Sequence, residues 1–231
     1  QLQYYAELHP PSVFMENGEQ KGYAIELLDD IWQHMGIPNQ KVNIVPWARA
    51  YYYLKTLNNV VLFSISRTPM REELFQWACP ITQIRYSLLA LKKNKIFIGN
   101  VNELSRYTIG SIRGDASETL LLKRQGNKKN IHSVSSLQAL IEMLMVDRVQ
   151  LITHITVLSE MSELSGNFIE RNGFSSDDFE EVFMLGEYKS CFAFSKKVDK
   201  QFVKKFQQAL SHVNEQTKHI KRMQRFHSFS N

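Results

Sequence analysis

The chain has 231 residues, of which 43% are hydrophobic, 11% aromatic and 22% charged, and its formal net charge is +5. This is the composition of a globular protein with one large domain or two small ones, and no apolar run reaches the roughly 20 residues that a membrane-spanning helix needs. The basic residues are scattered, with small clusters at 92–95, 128–129 and 218–225. No nucleic-acid-binding module is recognisable, so we expect a solvated basic surface and no nucleic-acid partner.

The chain starts at Gln1 rather than at Met, so we expect a mature or trimmed form. Its two cysteines, Cys79 and Cys191, form no Cys-x-x-Cys motif, and its seven histidines show no metal-binding spacing. We therefore expect no metal and no other cofactor. The cysteines could form a disulfide in an oxidising compartment, but two buried free thiols is the state we expect.

The first part of the chain alternates short apolar runs with amphipathic stretches. We predict strands at residues 2–8, 42–45 and 60–63 and helices at 22–35 and 46–56. Gly36 and Pro38 end the first helix. Pro46 opens the second at a position where its missing N–H is not needed.

A second helix-start signal follows the strand at 60–63. Thr68 suits the N-cap and Pro69 the first turn, so Arg71 is predicted in the first turn of a short helix. The helix dipole favours acidic residues there, and ligands of open α/β sheets bind outside the carboxyl ends of strands. A basic residue placed against local preference at such a point is a candidate for ligand binding.

The second part of the chain repeats the alternation. We predict strands at 87–91, 107–112, 131–134, 149–152, 181–184 and 190–194, and helices after Gly114, after Ser135 or Ser136, at 155–164 and at 199–226. Two successive βαβαβ patterns indicate an α/β protein with two lobes. The basic stretch 92–100 is the first crossing point between the lobes that this pattern suggests.

Five stretches, in order over nearly the whole chain, carry a family resemblance. They are HPPSVFMENGEQKGYAIELLDDI, VPWARAYYYL, FSISRTPMREELFQWACPI, IGSIRGDASETLL and LGEYKSCFAFSKKVDKQFVKKFQQAL. Together they resemble the periplasmic solute-binding proteins of family 3, the polar amino-acid type of ABC-transporter receptor. The resemblance implies the type II periplasmic binding protein fold, in which each lobe is a mixed sheet flanked by helices.

The resemblance also implies a division of the chain. Lobe one would comprise residues 1–87 and 193–231, and lobe two residues 88–192. Two hinge strands, near 87–91 and 189–193, would join the lobes. The ligand would lie in the cleft between the lobes, which would close on it by a hinge motion.

The candidate site residues of lobe one follow from the same resemblance. In amino-acid binders of this family, an Arg after Ser-x-Ser-x-Thr holds the ligand carboxylate, and here it is Arg71. The planar guanidinium can meet a carboxylate with two hydrogen bonds. The backbone and hydroxyls around Ser64 and Ser66 would take the ligand's amino group.

Aromatic contacts complete lobe one. The ring that stacks on the ligand falls near His9 or Phe14, and Trp47 falls where other members place a side chain against the ligand's apolar part. We expect most of Tyr4, Tyr5, Tyr23 and the Tyr51–Tyr53 run in the core or on the surface, and one or two of them could line the pocket.

Lobe two departs from the family pattern. The hydroxyl pair after the Gly is replaced by Asp115 and Ala116, and the acid that usually pairs with the α-ammonium falls at Ile155. Thr153 could offer a neutral polar contact, and Asp115 could either face the ligand or cap the following helix. Lobe two therefore supports a solute-binding protein more strongly than an amino-acid receptor in particular.

The function that the resemblance implies is non-catalytic. A monomeric periplasmic protein would capture a small polar solute, amino-acid-like, and deliver it to a membrane ABC permease. One alternative is a ligand-sensing domain of a signalling protein. A lesser alternative is a dehydratase on the same fold, for which His9, Asp115 or His154 would have to act as general acid or base.

Overall fold

The computed structural model describes residues 1–125, 128–158, 169 and 173–215. The strands are β1 (Gln3–Ala6), β2 (Phe14–Glu16), β3 (Glu19–Lys21), β4 (Val42–Ile44), β5 (Val60–Arg67), β6 (Gln76–Leu91), β7 (Ile109–Ile112), β8 (Ile131–Val134), β9 (Leu151–Val157) and β10 (Phe179–Phe194). The helices are α1 (Tyr23–His34), α2 (Trp47–Thr56), α3 (Ala116–Gln125), α4 (Leu137–Met145) and α5 (Lys200–Glu215). None of these helices has both the length and the hydropathy needed to span a membrane.

The chain divides into two compact units. Unit 1 comprises Gln1–Gln83 and Tyr188–Asn231, and unit 2 comprises Ile84–Glu187. Strands β6 and β10 each run without interruption from one unit into the other. The boundaries expected from the sequence, 87/88 and 192/193, lie a few residues further along the same two strands.

Unit 1 is built on a mixed sheet. β1 pairs in parallel with β4 and with β5, and β10 pairs antiparallel with β5. Since the first three strands are parallel, their carboxyl ends, Ala6, Ile44 and Arg67, lie along one edge. We call this the carboxyl edge of unit 1, and by the rule for open α/β sheets it is where a ligand site is expected.

Helices cover both faces of this sheet. On one face, Phe206 of α5 packs edge-on against Phe192 and Phe194, with ring centroids 5.0 and 5.2 Å apart. On the other, Ala50 and Leu54 of α2 join a buried apolar cluster on β1 and β5. Burial of these side chains is the main driving force that holds the helices on the sheet.

Unit 2 repeats the plan. β7 pairs in parallel with β8 and β9, and β6 pairs antiparallel with β9. Leu140 of α4 packs closely on the sheet, and a Cβ placed on Gly110 of β7 would lie 2.6 Å from its Cδ1 atom. A side chain at this point of the strand would therefore require the Leu140 side chain to shift.

Two local predictions were wrong. Residues 155–157, predicted as the start of a helix, are the last three residues of β9, and residues 159–164 of that prediction lie outside the described residues. The helix predicted from Thr68 is instead a turn followed by the 3-10 turn Glu72–Leu74. Because β6 already begins at Gln76, the connection is too short for more than a tight turn.

The prediction of two free thiols was also wrong. Cys79 in β6 and Cys191 in β10 form a disulfide, with their Cα atoms 4.7 Å apart. The two residues are 112 positions apart in the chain. Sequence separation carries no information on their proximity, which is set by two neighbouring strands of the sheet.

Candidate ligand-binding site

Arg71 lies at the carboxyl edge of unit 1, directly after β5. Its backbone N–H donates to the carbonyl of Thr68 at 2.9 Å and closes the turn. Its side chain folds back toward the strand, where Nη1 donates to the carbonyl of Ser66 at 3.4 Å. The residue is only 6% exposed, so its charge lies largely away from bulk water.

Two aromatic rings hold the Arg71 guanidinium. Its Cζ atom lies 5.0 Å from the ring centroid of Trp47 and 5.1 Å from that of Tyr51. These two rings are one turn apart on α2 and stack on each other, with centroids 5.4 Å apart and planes inclined by 17°. Cation–π attraction therefore positions the guanidinium without using its N–H groups, of which Nη1 also donates to Ser66.

Within the described part of the chain, no carboxylate pairs with Arg71. The nearest acids in sequence are Glu72 and Glu73, and Glu72 is engaged by Arg67, whose Nε donates to Oε2 at 2.7 Å while Nη2 donates to Oε1. These hydrogen bonds lower the pKa of Glu72 and raise that of Arg67. A buried charge without a counter-ion is unfavourable, so Arg71 is suited to receive an anion from outside the protein.

A β-bulge shapes the strand beside Arg71. Cys191 of β10 pairs with Ile65, whereas Ala193 pairs with Leu62, so three steps on β5 oppose two on β10. Within this bulge Ser64 adopts φ 59°, a left-handed conformation that is uncommon for a residue other than glycine. Strained backbone of this kind persists where the surrounding structure enforces it, and it concentrates at binding sites.

The Ser64 hydroxyl reaches the loop after β1. Its Oγ lies 2.5 Å from Oγ of Ser12, a residue that is 4% exposed. The same loop carries His9, whose N–H donates to the carbonyl of Val13 at 2.8 Å, and it leads into Phe14 at the start of β2. His9, Phe14 and Ser64 therefore border the same edge as Arg71.

The loop after β1 is fixed on the start of α1. The carbonyls of Pro11 and Ser12 accept from the N–H groups of Tyr23 and Ala24, at 3.3 and 3.1 Å. Gly22 is needed here, because a Cβ on it would lie 2.2 Å from the Ser12 carbonyl oxygen. Burial raises the pKa of the Tyr23 hydroxyl to about 12, although its hydrogen bond with Ser12 acts in the opposite direction.

The two remaining predicted residues belong to unit 2. Asp115 follows β7, and its Oδ1 accepts from the N–H of Ser117 at 2.6 Å, as a residue capping the start of α3 does. Thr153 lies in β9 opposite Leu88 and is 4% exposed. Both lie toward the carboxyl ends of the parallel strands of unit 2, the edge where that unit would hold a ligand.

The residue predictions missed part of the site. Trp47, Ser66 and Arg71 come together as the sequence suggested, but Ser12 was not singled out, and Tyr51 was only one of a group. The sequence does indicate Tyr51, because it lies four residues after Trp47 on a predicted helix and therefore on the same face. Ser12 had none, because its partner Ser64 is distant in the sequence and meets it only in the folded sheet.

The chain has two units, each a mixed sheet flanked by helices, and two long strands connect them. This architecture defines the class of periplasmic binding proteins. Solved structures of this class resemble the chain closely in fold. The arginine-, lysine-, histidine-binding protein ArtJ from Geobacillus stearothermophilus matches with a TM-score of 0.78 and 15% identity, covering 98% of this chain and 95% of that one. A histidine kinase sensor domain matches with a TM-score of 0.80 and 16% identity over 98% and 96%.

A third similar structure is the GluR0 ligand-binding core from Nostoc punctiforme in complex with L-glutamate, with a TM-score of 0.78 and 16% identity over 98% and 99% of the two chains. The profile of the bacterial extracellular solute-binding proteins, family 3, matches residues 4–228. The chain belongs to this family. No curated protein matches its sequence significantly.

Proposed function

We propose that this protein is a non-catalytic receptor for a small polar solute that carries a carboxylate, with an α-amino acid as the first candidate. The observation that carries the proposal is the buried guanidinium of Arg71, which two aromatic rings position and no described carboxylate neutralises. A ligand carboxylate would accept two of its N–H groups and supply the missing negative charge.

The other predicted residues would complete the site. Ser64 and Ser66 would contact the ligand's amino group, and Trp47 with His9 or Phe14 would flank its body. From unit 2, Asp115 and Thr153 would contribute polar contacts once the two hinge strands allow closure. Ligand contacts made with both units in the closed state alone would favour that state, which is a population shift.

Similar structures support the class of ligand. ArtJ is described as binding arginine, lysine and histidine, and the GluR0 core was solved with L-glutamate. We propose that the protein works in the periplasm as a monomer and hands its solute to a membrane ABC permease. The likeness to a histidine kinase sensor domain favours one second candidate, a ligand-sensing domain. In that case the full-length gene product would join this chain to a membrane segment and a signalling domain.

A thermal-shift screen tests the proposed ligand class. The purified protein is heated with each L-amino acid and, as matched controls, with the amines that lack only the carboxylate. A ligand at 100 times its Kd stabilises the protein by about 2.7 kcal/mol, which moves the melting temperature measurably. We expect a shift with at least one amino acid and none with its amine. An amine that stabilises as well as its amino acid would contradict the carboxylate site.

A further inference from the structure

The edge of unit 2 opposite Asp115 has features that ligand binding does not use. The parallel strands β7, β8 and β9 all begin there, and β6 ends there because it is antiparallel to β9. We call this the amino edge of unit 2. It comprises residues 92–108, 123–125, 128–130, 146–150 and 174–178.

Hydrogen bonds tie the amino edge into one surface. The N–H of Gln150 donates to the carbonyl of Thr108 at 2.9 Å, and that of Ile109 donates to the carbonyl of Asn130 at 2.8 Å. Lys93 Nζ lies 3.5 Å from Oδ2 of Asp147. The segments before β7, β8 and β9 and the segment after β6 are therefore held side by side.

The fold gathers at this edge basic residues that looked scattered in the sequence. Nine exposed basic side chains of the described residues lie along it: Lys92, Lys93, Lys95, Arg106, Lys123, Arg124, Lys128, Lys129 and Arg148. In the part of the chain that the structure describes, the same segments carry four acidic residues: Glu103, Asp147, Asp177 and Asp178. Two of the small basic clusters seen in the sequence, 92–95 and 128–129, thus lie at one edge together with four further basic residues.

Some of that acidic charge is already engaged. The Glu103 carboxylate accepts from the N–H of Gly99 at 3.0 Å and from Nδ2 of Asn100 at 2.9 Å, so it caps its own turn. Asp147 is shared with Lys93. Among the described residues of the amino edge, nine basic side chains against four acidic ones still leave an excess of five positive charges.

An aromatic ring projects from the middle of these charges. Phe97 is 82% exposed, whereas the next residue, Ile98, is 6% exposed and anchors the loop. Val146, close to Lys93 through Asp147, is 72% exposed. Single exposed apolar residues are common on protein surfaces, and what distinguishes Phe97 is its place among the basic residues of this edge.

We propose that the amino edge of unit 2 docks onto the anionic phospholipid surface of a membrane. Lysines and arginines pair with lipid phosphates, and an aromatic ring among them enters the boundary between headgroups and acyl chains. Electrostatic attraction would bring the protein to the membrane, and burial of the apolar ring would stabilise the contact. Among anionic partners, a lipid surface is the one that uses both the charge excess and the protruding Phe97.

Vesicle co-sedimentation tests this proposal with the whole chain. The lipids are pure phosphatidylcholine, or phosphatidylcholine mixed with phosphatidylglycerol. The variants are Lys92→Glu with Lys95→Glu, and Phe97→Ser alone. The matched control is Lys196→Glu with Lys197→Glu, the same change of charge at exposed residues of unit 1. Circular dichroism confirms that each variant is folded.

We expect the wild-type protein to sediment with phosphatidylglycerol vesicles alone, and the bound fraction to fall as salt is added. The Lys92 and Lys95 double variant and Phe97→Ser should each lose most of the bound fraction, while the unit 1 control keeps it. Absence of binding to phosphatidylglycerol vesicles would overturn the proposal. An equal loss of binding in the unit 1 control would also overturn it, because binding would then follow net charge alone. Full binding by Phe97→Ser would overturn it as well and would point to an acidic macromolecule as the partner.

Discussion

Arg67 and Arg71 both stand at the end of β5, and they differ in what surrounds their charge. Arg67 is half-buried and makes two hydrogen bonds to Glu72. Arg71 is buried, lies against two aromatic rings and is paired with no described carboxylate. A buried charge with no partner opposes folding, so this contrast supports the proposal that Arg71 serves an incoming anion while Arg67 serves the turn.

This contrast predicts how the unliganded protein responds to substitution. Arg71→Met keeps the apolar stem and removes the buried charge, so the free energy of unfolding without ligand should not fall. Arg67→Met leaves Glu72 without its partner and should lower that free energy by up to about 1 kcal/mol. Urea unfolding of both variants measures the difference. A loss of several kcal/mol for Arg71→Met would show that Arg71 is a structural residue.

Tyr23 gives a prediction for pH. Its pKa is about 12 in the folded protein because of burial, against an ordinary value of 10.0. Below pH 10 the hydroxyl is neutral in both states, so it adds no pH dependence. Between about pH 10 and 12 the unfolded chain ionises first, and the free energy of unfolding should fall by about 2–3 kcal/mol.

The control for this prediction is Tyr23→Phe. Urea unfolding at a series of alkaline pH values should show a shallower fall for the variant than for the wild-type protein. Tyr4, whose pKa burial also raises, is present in both and cancels in the comparison. If the free energy of unfolding fell equally with pH in both proteins, Tyr23 would not contribute to the pH dependence.

At the residue level, the sequence predicted which residues of the candidate site lie together better than how they are arranged. Arg71 was singled out because a basic side chain after a strand end runs against helix preference. The reason proved different, since no α-helix follows: the residue closes a turn and folds back on the strand. The Ser12–Ser64 contact and the pairing of Arg67 with Glu72 depend on how loops meet, which local preferences do not encode.

At the scale of elements, β5 is the part that places the site. Its bulge puts Ser64 in a left-handed conformation, sends its hydroxyl to Ser12, and leads the chain through Ser66 to Arg71. α2 supplies the two rings that lie against the Arg71 guanidinium. The bulge of β5 and helix α2 thus both contribute to the surroundings of the Arg71 guanidinium.

Substitutions of Ser64 by residues with different backbone preferences test the bulge. Ser64→Val places a β-branched side chain at φ 59° and should cost about 1–3 kcal/mol of folding free energy. Ser64→Gly relieves the strain and loses only the hydroxyl contact, so it should be the more stable of the two. Denaturant unfolding ranks them. A Ser64→Val variant as stable as Ser64→Gly would argue against the left-handed bulge.

Element types followed well from periodicity, and the failures have physical causes. β8 was placed at its observed bounds, and Ser136 caps α4 with its side chain, as one of the two predicted candidates. The β2–β3 hairpin was missed although Asn17-Gly18, both at positive φ, is a strong hairpin signal. The end of β9 was read as helix because the short apolar run Ile155–Val157 fits either period.

At the scale of the whole molecule, two strands and one disulfide connect the parts of the chain. β6 and β10 pass between the units, and the Cys79–Cys191 bond joins them within unit 1. The loop that this bond closes contains all of unit 2. Closing so long a loop restricts the unfolded chain strongly.

Removing the disulfide should therefore destabilise the protein. Cys79→Ser with Cys191→Ser should lower the free energy of unfolding by about 2–5 kcal/mol. A reducing agent should bring the wild-type protein to a similar level and leave the variant unchanged. Wild-type unfolding that is insensitive to reduction would contradict the bond or its contribution.

The most direct test of the central claim is calorimetric titration of the wild-type protein and Arg71→Met with the L-amino acid that gives the largest thermal shift. Arg49→Ala is the matched control, because Arg49 is exposed and lies on α2 beside Trp47. If Arg71 holds the ligand carboxylate, its loss should weaken binding by about 2–5 kcal/mol, a change in Kd of at least about 30-fold, while the control binds normally. Equal affinity of the wild-type protein and Arg71→Met would show that the carboxylate is held elsewhere.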